Sequence, residues 1–193
     1  MSTALPAPRV IADAFSRGVV RNVLLVAGGA ALIGLCAQLY VYLPGNPVPI
    51  TGQTFAVLFV AAGLGLARGV SATMVYAVGG LLGVPWFAQG SSGLVSATFG
   101  YILGFILAAA VLGYLAERGW TSRAWRTVVV MVLGNVVIYA VGVTWLKTAT
   151  GMGWSKAISL GMTPFLVGDA IKIALAAGAF TAAWAIIRRR RQS

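Results

Sequence analysis

Residues 163–175 read TPFLVGDAIKIAL and open an apolar segment that runs to Ile187. A stretch of this length, about 24 residues over 164–187, is enough to cross a bilayer as one helix. It carries one acid, Asp169, and one base, Lys172. The whole chain has three acidic residues. Asp13 and Glu117 fall in polar connecting segments, so Asp169 alone is set among apolar residues, and Lys172 is the only cation so placed. Positions three apart share a helix face, which lets the two charges point into the same space. A charge at membrane depth costs roughly 3 kcal/mol or more, so residues of this kind are rare and usually functional.

The rest of the chain repeats the pattern. Apolar residues make up 60% of the 193 and charged residues 9%. Uncharged runs recur throughout, so the chain reads as an all-α integral membrane protein. The formal charge of +11 would suggest nucleic acid in a soluble chain. Here the arginines cluster in short loops and at the ends, which encodes membrane topology, and no nucleic-acid partner is expected. The single cysteine, Cys36, excludes an internal disulfide. Histidine is absent, which removes the commonest general base and metal ligand. No metal or cofactor is expected, and no cleavable signal peptide is read, because the first apolar run is long enough to span.

Six spans are expected, near 23–43, 54–67, 70–83, 97–115, 127–146 and 164–187. They form one membrane domain over 23–187, between a cytoplasmic or interfacial segment 1–22 and a basic tail 188–193. Residues 12–20 read as a short surface helix. The second and third spans are short, with a break expected at Arg68-Gly69. Ala27 and Ala31, and likewise Ala30 and Gly34, are four apart, a spacing that lets another helix approach closely; Gly100 and Gly104 repeat it. Residues 44–53, PGNPVPITGQ, and 84–96, VPWFAQGSSGLVS, are uncharged loops rich in proline, glycine or serine that cannot continue a helix. With both termini cytoplasmic, all eleven arginines fall inside and only Lys147 and Lys156 outside. That is a strong positive-inside asymmetry.

This topology puts both shaped loops and the start of the sixth span on the outer side. Asp169 and Lys172 then lie one to two turns below the outer surface, and Asn135 in the fifth span lies at comparable depth. Together they describe a polar pocket that opens outward beneath covering loops. It suits a small ligand with a hydrogen-bonding ring at one end and a carboxylate at the other. The alternative is a buried ion pair that only fixes helix packing, with Asn135 as interhelical glue and Trp86, Phe87 and Trp154 as interfacial anchors. Catalysis is not expected, since no histidine and no face-sharing pair of acids is present. No lysine follows a glycine, so the nucleotide-binding loop pattern is missing, and an ion gradient or another subunit must supply the work of any transport.

Five segments, in order, carry a family resemblance: PVPITGQT (47–54), GVPWFAQGSSG (83–93), TFGYILGF (98–105), LGNVVIY (133–139) and TPFLVGDAIKIALA (163–176). Together they resemble BioY, the biotin-specific substrate-binding S component of energy-coupling factor (ECF) transporters, over about residues 20–180. The resemblance implies a six-helix, multi-pass S component of the bacterial cytoplasmic membrane that binds biotin near its outer face. It also implies partners, a transmembrane coupling (T) protein and two cytoplasmic ATPases. Ala27 and Ala31 would then face the coupling protein. Carried over by motif, the substrate-binding set is Asp169, Lys172, Asn135, Thr51, Gln53, Gly90 and Gly93, with Tyr101 and Trp86 as walls for the ligand's apolar body. The sequence departs from the family pattern at Gly52, where a bulkier apolar residue is expected, and at Ala97, where a proline is usual. Another vitamin as ligand, or a non-transporting subunit with a structural Asp–Lys pair, are the alternatives.

Overall fold

Helices carry most of the described residues. The computed structural model describes residues 10–14, 18–94 and 97–192; expectations that touch Arg9, Arg17 or residues 95 and 96 lie outside these. The helices are α1 (Val19–Ala37), α2 (Gln53–Leu64), α3 (Leu66–Leu81), α4 (Phe99–Glu117), α5 (Ala124–Thr150), α6 (Trp154–Gly161) and α7 (Leu166–Gln192).

The first span differs from the expected 23–43 at both ends. It starts at Val19 and stops at Ala37, because the Tyr and Val residues that follow favour extended backbone. They form a two-residue strand, β1 (Tyr40–Val41), paired antiparallel with β2 (Ile50–Thr51), Tyr40 opposite Thr51. This hairpin frames the proline-rich loop and delivers the chain into α2. At Gly52 a Cβ would sit 2.8 Å from the Cys36 carbonyl oxygen. The departure from the family pattern is therefore a steric requirement of this turn.

The expected break at Arg68-Gly69 lies instead at Gly65, whose φ of 86° is in the region that favours glycine. Arg68 belongs to α3 and pairs with Asp13 at 2.6 Å. Glu117 is the last residue of α4. Its Oε1 accepts the Leu66 N–H at 2.8 Å, capping the start of α3 where the helix dipole favours an acid. With 12 and 16 residues, α2 and α3 are about 18 and 24 Å long, short of a hydrocarbon core of about 30 Å.

The fifth helix is longer than the expected 127–146 and ends on the left-handed Gly151, φ 71°. The connection after it contains the short helix α6. A 3-10 turn, Thr163–Phe165, then leads into α7, which runs through the basic residues to Gln192. Residues 15–17 of the surface helix expected over 12–20 lie outside the described residues. Ile11–Ala14 form a single 3-10 turn, and Val10 and Ala12 are buried with Ala116 against Leu25 and Leu64.

The core forms around α4, which packs on α2, α3 and α5. A Cβ at Gly104 would lie 3.0 Å from the Ile138 backbone, so the spaced glycines of α4 bring α5 close, as expected. α1 packs on α3 and α2, and α7 on α5 and α2. Of the two small-residue pairs in α1, Ala30 and Gly34 are buried, whereas Ala27 and Ala31 lie on its exposed face. Large apolar side chains such as Leu24, Val136, Ile171 and Leu175 are exposed. Four stretches, α1, α4, α5 and α6 with α7, are long and apolar enough to cross a membrane, so the outward apolar surface is a lipid face and the chain is a membrane protein.

Candidate functional site

Asp169 lies in the first turn of α7, where the dipole stabilises an anion, and is only 3% exposed. Lys172, one turn on, donates to Asp169 Oδ1 at 3.1 Å, to Thr54 Oγ1 at 2.9 Å and to the Thr51 carbonyl at 2.9 Å. All three ammonium donors are thereby used. Thr54 also donates to Asp169 Oδ1 at 3.4 Å, and the Tyr139 hydroxyl donates to Asp169 Oδ2. Four residues from α2, α5 and α7 thus form one hydrogen-bonded unit. Its charges cancel, and the desolvation that would make either charge costly alone is offset by the pairing and the added bonds.

Above this unit lies a cavity of ≈ 220 Å³. Lys172, Thr51, Gln53, Thr54 and Tyr139 give it a polar end. Its apolar walls come from the loops 44–53 and 84–96, α4 and the turn before α7: Pro47, Val48, Pro49, Phe87, Tyr101, Ile102, Phe105 and Phe165. Gln53 is itself fixed: Thr51 donates to its Oε1 at 3.1 Å and its Nε2 donates to the Tyr76 hydroxyl. Tyr101 donates to the Gly161 carbonyl at 2.7 Å, and Asn46 Nδ2 to that of Leu160 at 2.9 Å. The end of α6 therefore braces both α4 and the proline-rich loop. A small space with one polar end and aromatic walls suits a compact, rigid ligand.

The sequence-derived residues divide into three groups. Lys172, Thr51, Gln53 and Tyr101 line the cavity. Asp169 and Asn135 sit one layer deeper, around a void of ≈ 10 Å³ that Lys172 also borders. The Asn135 amide oxygen is buried there without a hydrogen-bond partner among the described residues. Trp86, Gly90 and Gly93 belong to the second loop but do not line the cavity. Trp86 packs on Tyr76 and donates its Nε1 to the Tyr76 carbonyl at 2.9 Å, and the neighbouring Phe87 faces the cavity. Sequence reading did not single out Tyr139 or Thr54. Tyr139 was accessible, because it lies four residues after Asn135 and so on the same helix face.

The comparisons agree with one another. The BioY family profile matches residues 6–189. Biotin transporter BioY2 of Lactococcus lactis subsp. cremoris is 35% identical over 157 residues, 80% of this chain and 85% of that protein. Biotin transporter BioY of Rhizobium etli is 36% identical, over 81% and 89%, and that of Thermotoga maritima 38%, over 79% and 90%. Among solved structures, the S-component for biotin from an ECF-type ABC transporter superposes with a TM-score of 0.75 at 22% identity, covering 92% of this chain and 96% of that one. The helical bundle, its loop-covered cavity and these relatives lead to one assignment: the chain belongs to the BioY family.

Proposed function

We propose that the chain binds biotin in the 220 Å³ cavity and takes it up as the substrate-specific S component of an ECF-type transporter in the bacterial cytoplasmic membrane. The observation that carries this reading is the Asp169–Lys172–Thr54–Tyr139 unit at the floor of an aromatic-walled space. Biotin has a ureido ring with N–H donors and a carbonyl acceptor, a thioether ring and a carboxylate tail. The polar floor supplies donors and acceptors for one end, and the aromatic walls suit the thioether ring and the tail's methylenes. Lys172 already spends its donors on protein oxygens, so a ligand oxygen that meets it replaces one of the three.

The reading extends to topology and partners. It has six membrane segments, α1 to α5 and α7, with both termini cytoplasmic. Residues 1–22 lead in, 23–187 form the membrane domain and 188–193 close it. The arginine asymmetry supports this arrangement, and the shortness of α2 and α3 is accommodated because α4 and α1 cover them. A transmembrane coupling protein and two cytoplasmic ATPases supply the energy, and the exposed face of α1 bearing Ala27 and Ala31 is the surface offered to the coupling protein. The chemistry is transport, with no bond made or broken in the vitamin. A thermal-shift panel of vitamins on the purified protein tests the ligand: biotin alone should raise the melting temperature. Stabilisation by a different vitamin would reassign the substrate, and stabilisation by none would favour a structural ion pair.

A further inference from the structure

We infer that Gln38, immediately after the last residue of α1, is the positioning residue for the cavity wall made by the second outer loop, a role that rests on the cavity being the biotin site. Phe87, Ala88, Gln89 and Ser91 line the cavity. They belong to a tight turn in which the Ser91 N–H reaches the Ala88 carbonyl at 3.3 Å. Both central residues are left-handed, Gln89 at φ 64° and Gly90 at φ 66°. Glycine, asparagine and aspartate adopt that conformation readily, and glutamine does not. Gln89 is the one non-glycine residue with positive φ among the described residues. The turn's own sequence thus favours relaxation away from the observed shape.

The turn carries bonds of its own, from the Phe87 N–H to the Ser91 carbonyl at 3.0 Å and from the Gly90 N–H to the Phe87 carbonyl at 3.1 Å, and the amide of Gln38 adds those that anchor it to α1. Its Nε2 donates to the carbonyls of Trp86 at 3.1 Å and Phe87 at 3.0 Å, and its Oε1 accepts the Gly90 N–H at 3.1 Å. The same Nε2 is 3.2 Å from the Gly34 carbonyl, one turn back in α1. A single side chain therefore ties three backbone groups of the loop to one helix. Gln38 does not line the cavity, so it acts through the turn. These bonds join the cavity wall to the end of α1.

The test compares Gln38→Ala and Gln38→Glu with the parent, full-length in detergent or nanodiscs. It measures amide hydrogen exchange over residues 86–93 without ligand, and biotin association and dissociation rates. A neutral hydrogen bond is worth on the order of tenfold in an equilibrium. Gln38→Ala should speed exchange in the loop by about tenfold or more and leave α4 and α5 unchanged. Biotin release should quicken by a similar factor, with association changed less than about threefold, as expected when a mutation acts on the bound state. Gln38→Glu keeps the acceptor for Gly90 but loses both donors, and should match the alanine variant. Unchanged loop exchange in Gln38→Ala overturns the positioning role, whatever the ligand. Faster exchange with unchanged biotin release overturns its part in retention. A general rise in exchange across all helices shows a merely structural role and overturns the inference as well. Absence of biotin binding by the parent sinks the substrate reading, and the exchange arm still decides what Gln38 does.

Discussion

Asp169 is buried against three hydrogen-bonding neighbours: Lys172, Thr54 and Tyr139. Removing one member of such a pair leaves the other charge uncompensated, at a cost of about 3–5 kcal/mol for a buried pair. Lys172 is 20% exposed at its side chain, so the lower end of that range applies. Asp169→Asn and Lys172→Ala should each weaken biotin binding at least about a hundredfold and also lower stability. The double variant Asp169→Asn with Lys172→Met separates the two effects, since replacing both charges by groups of similar shape is often neutral for folding. It should melt near the parent temperature and still fail to bind biotin in a filter-binding or calorimetric assay. Recovery of binding together with stability would make the pair structural only. Tyr139→Phe removes one hydrogen bond to a carboxylate and should weaken binding by roughly tenfold.

The two charged residues were legible in the sequence because a charge in an apolar span is costly and therefore conspicuous. Thr54 was not, because a threonine in a membrane helix is unremarkable until its partner is known, and Tyr139 was marked only by its spacing of four from Asn135. Gln38 was less visible still. It follows the end of a helix, and its loop partners are 48 to 52 residues away in the chain. Asn135 was legible as a polar residue in a span, and the structure puts it under the site, beside a void and not in the main cavity.

At the level of elements, apolar run lengths located the long helices, and local chemistry set their ends. The α2–α3 junction shows why the two differ. Arg68-Gly69 looked like a break because arginine is expensive in an apolar run. In the fold Arg68 has Asp13 to pair with, and the chain turns at Gly65, where Glu117 reaches across from α4 to cap α3. Glu117→Ala leaves the Leu66 N–H without its cap and should cost about 1 kcal/mol or more, read as a lower melting temperature with ligand affinity changed little. Glu117→Gln keeps an acceptor in place and should restore most of that loss. An alanine variant as stable as the parent would show that the cap contributes nothing. The hairpin at residues 40–51 and the short helix α6 were not read from sequence. Both are too short for hydrophobic periodicity to register, and both are held by contacts distant in the chain, Asn46 to Leu160 and Tyr101 to Gly161.

For the whole molecule, the arginine count and the exposed apolar surface make two separable predictions. Single cysteines introduced in a Cys36→Ser background at Lys156 and Gln89 should react with an impermeant maleimide from outside the cell, and those at Arg123 and Gln192 only from the cytoplasmic side. Labelling of position 123 from outside would refute the six-span arrangement. Ala27→Trp and Ala31→Trp place bulk on the exposed face of α1, far from the cavity. They should leave biotin affinity within about threefold while abolishing co-purification with the coupling protein, because close helix approach needs small residues. Loss of biotin binding in these variants would place that face inside the bundle.

The central claim is that the ion-paired floor and aromatic walls bind biotin. The measurement that tests it most directly is titration calorimetry of biotin into the purified parent, with the stable Asp169→Asn/Lys172→Met variant in parallel. Saturable one-to-one binding by the parent and none by the folded variant is the predicted result. Equal binding by both, or none by a well-folded parent, would contradict the account.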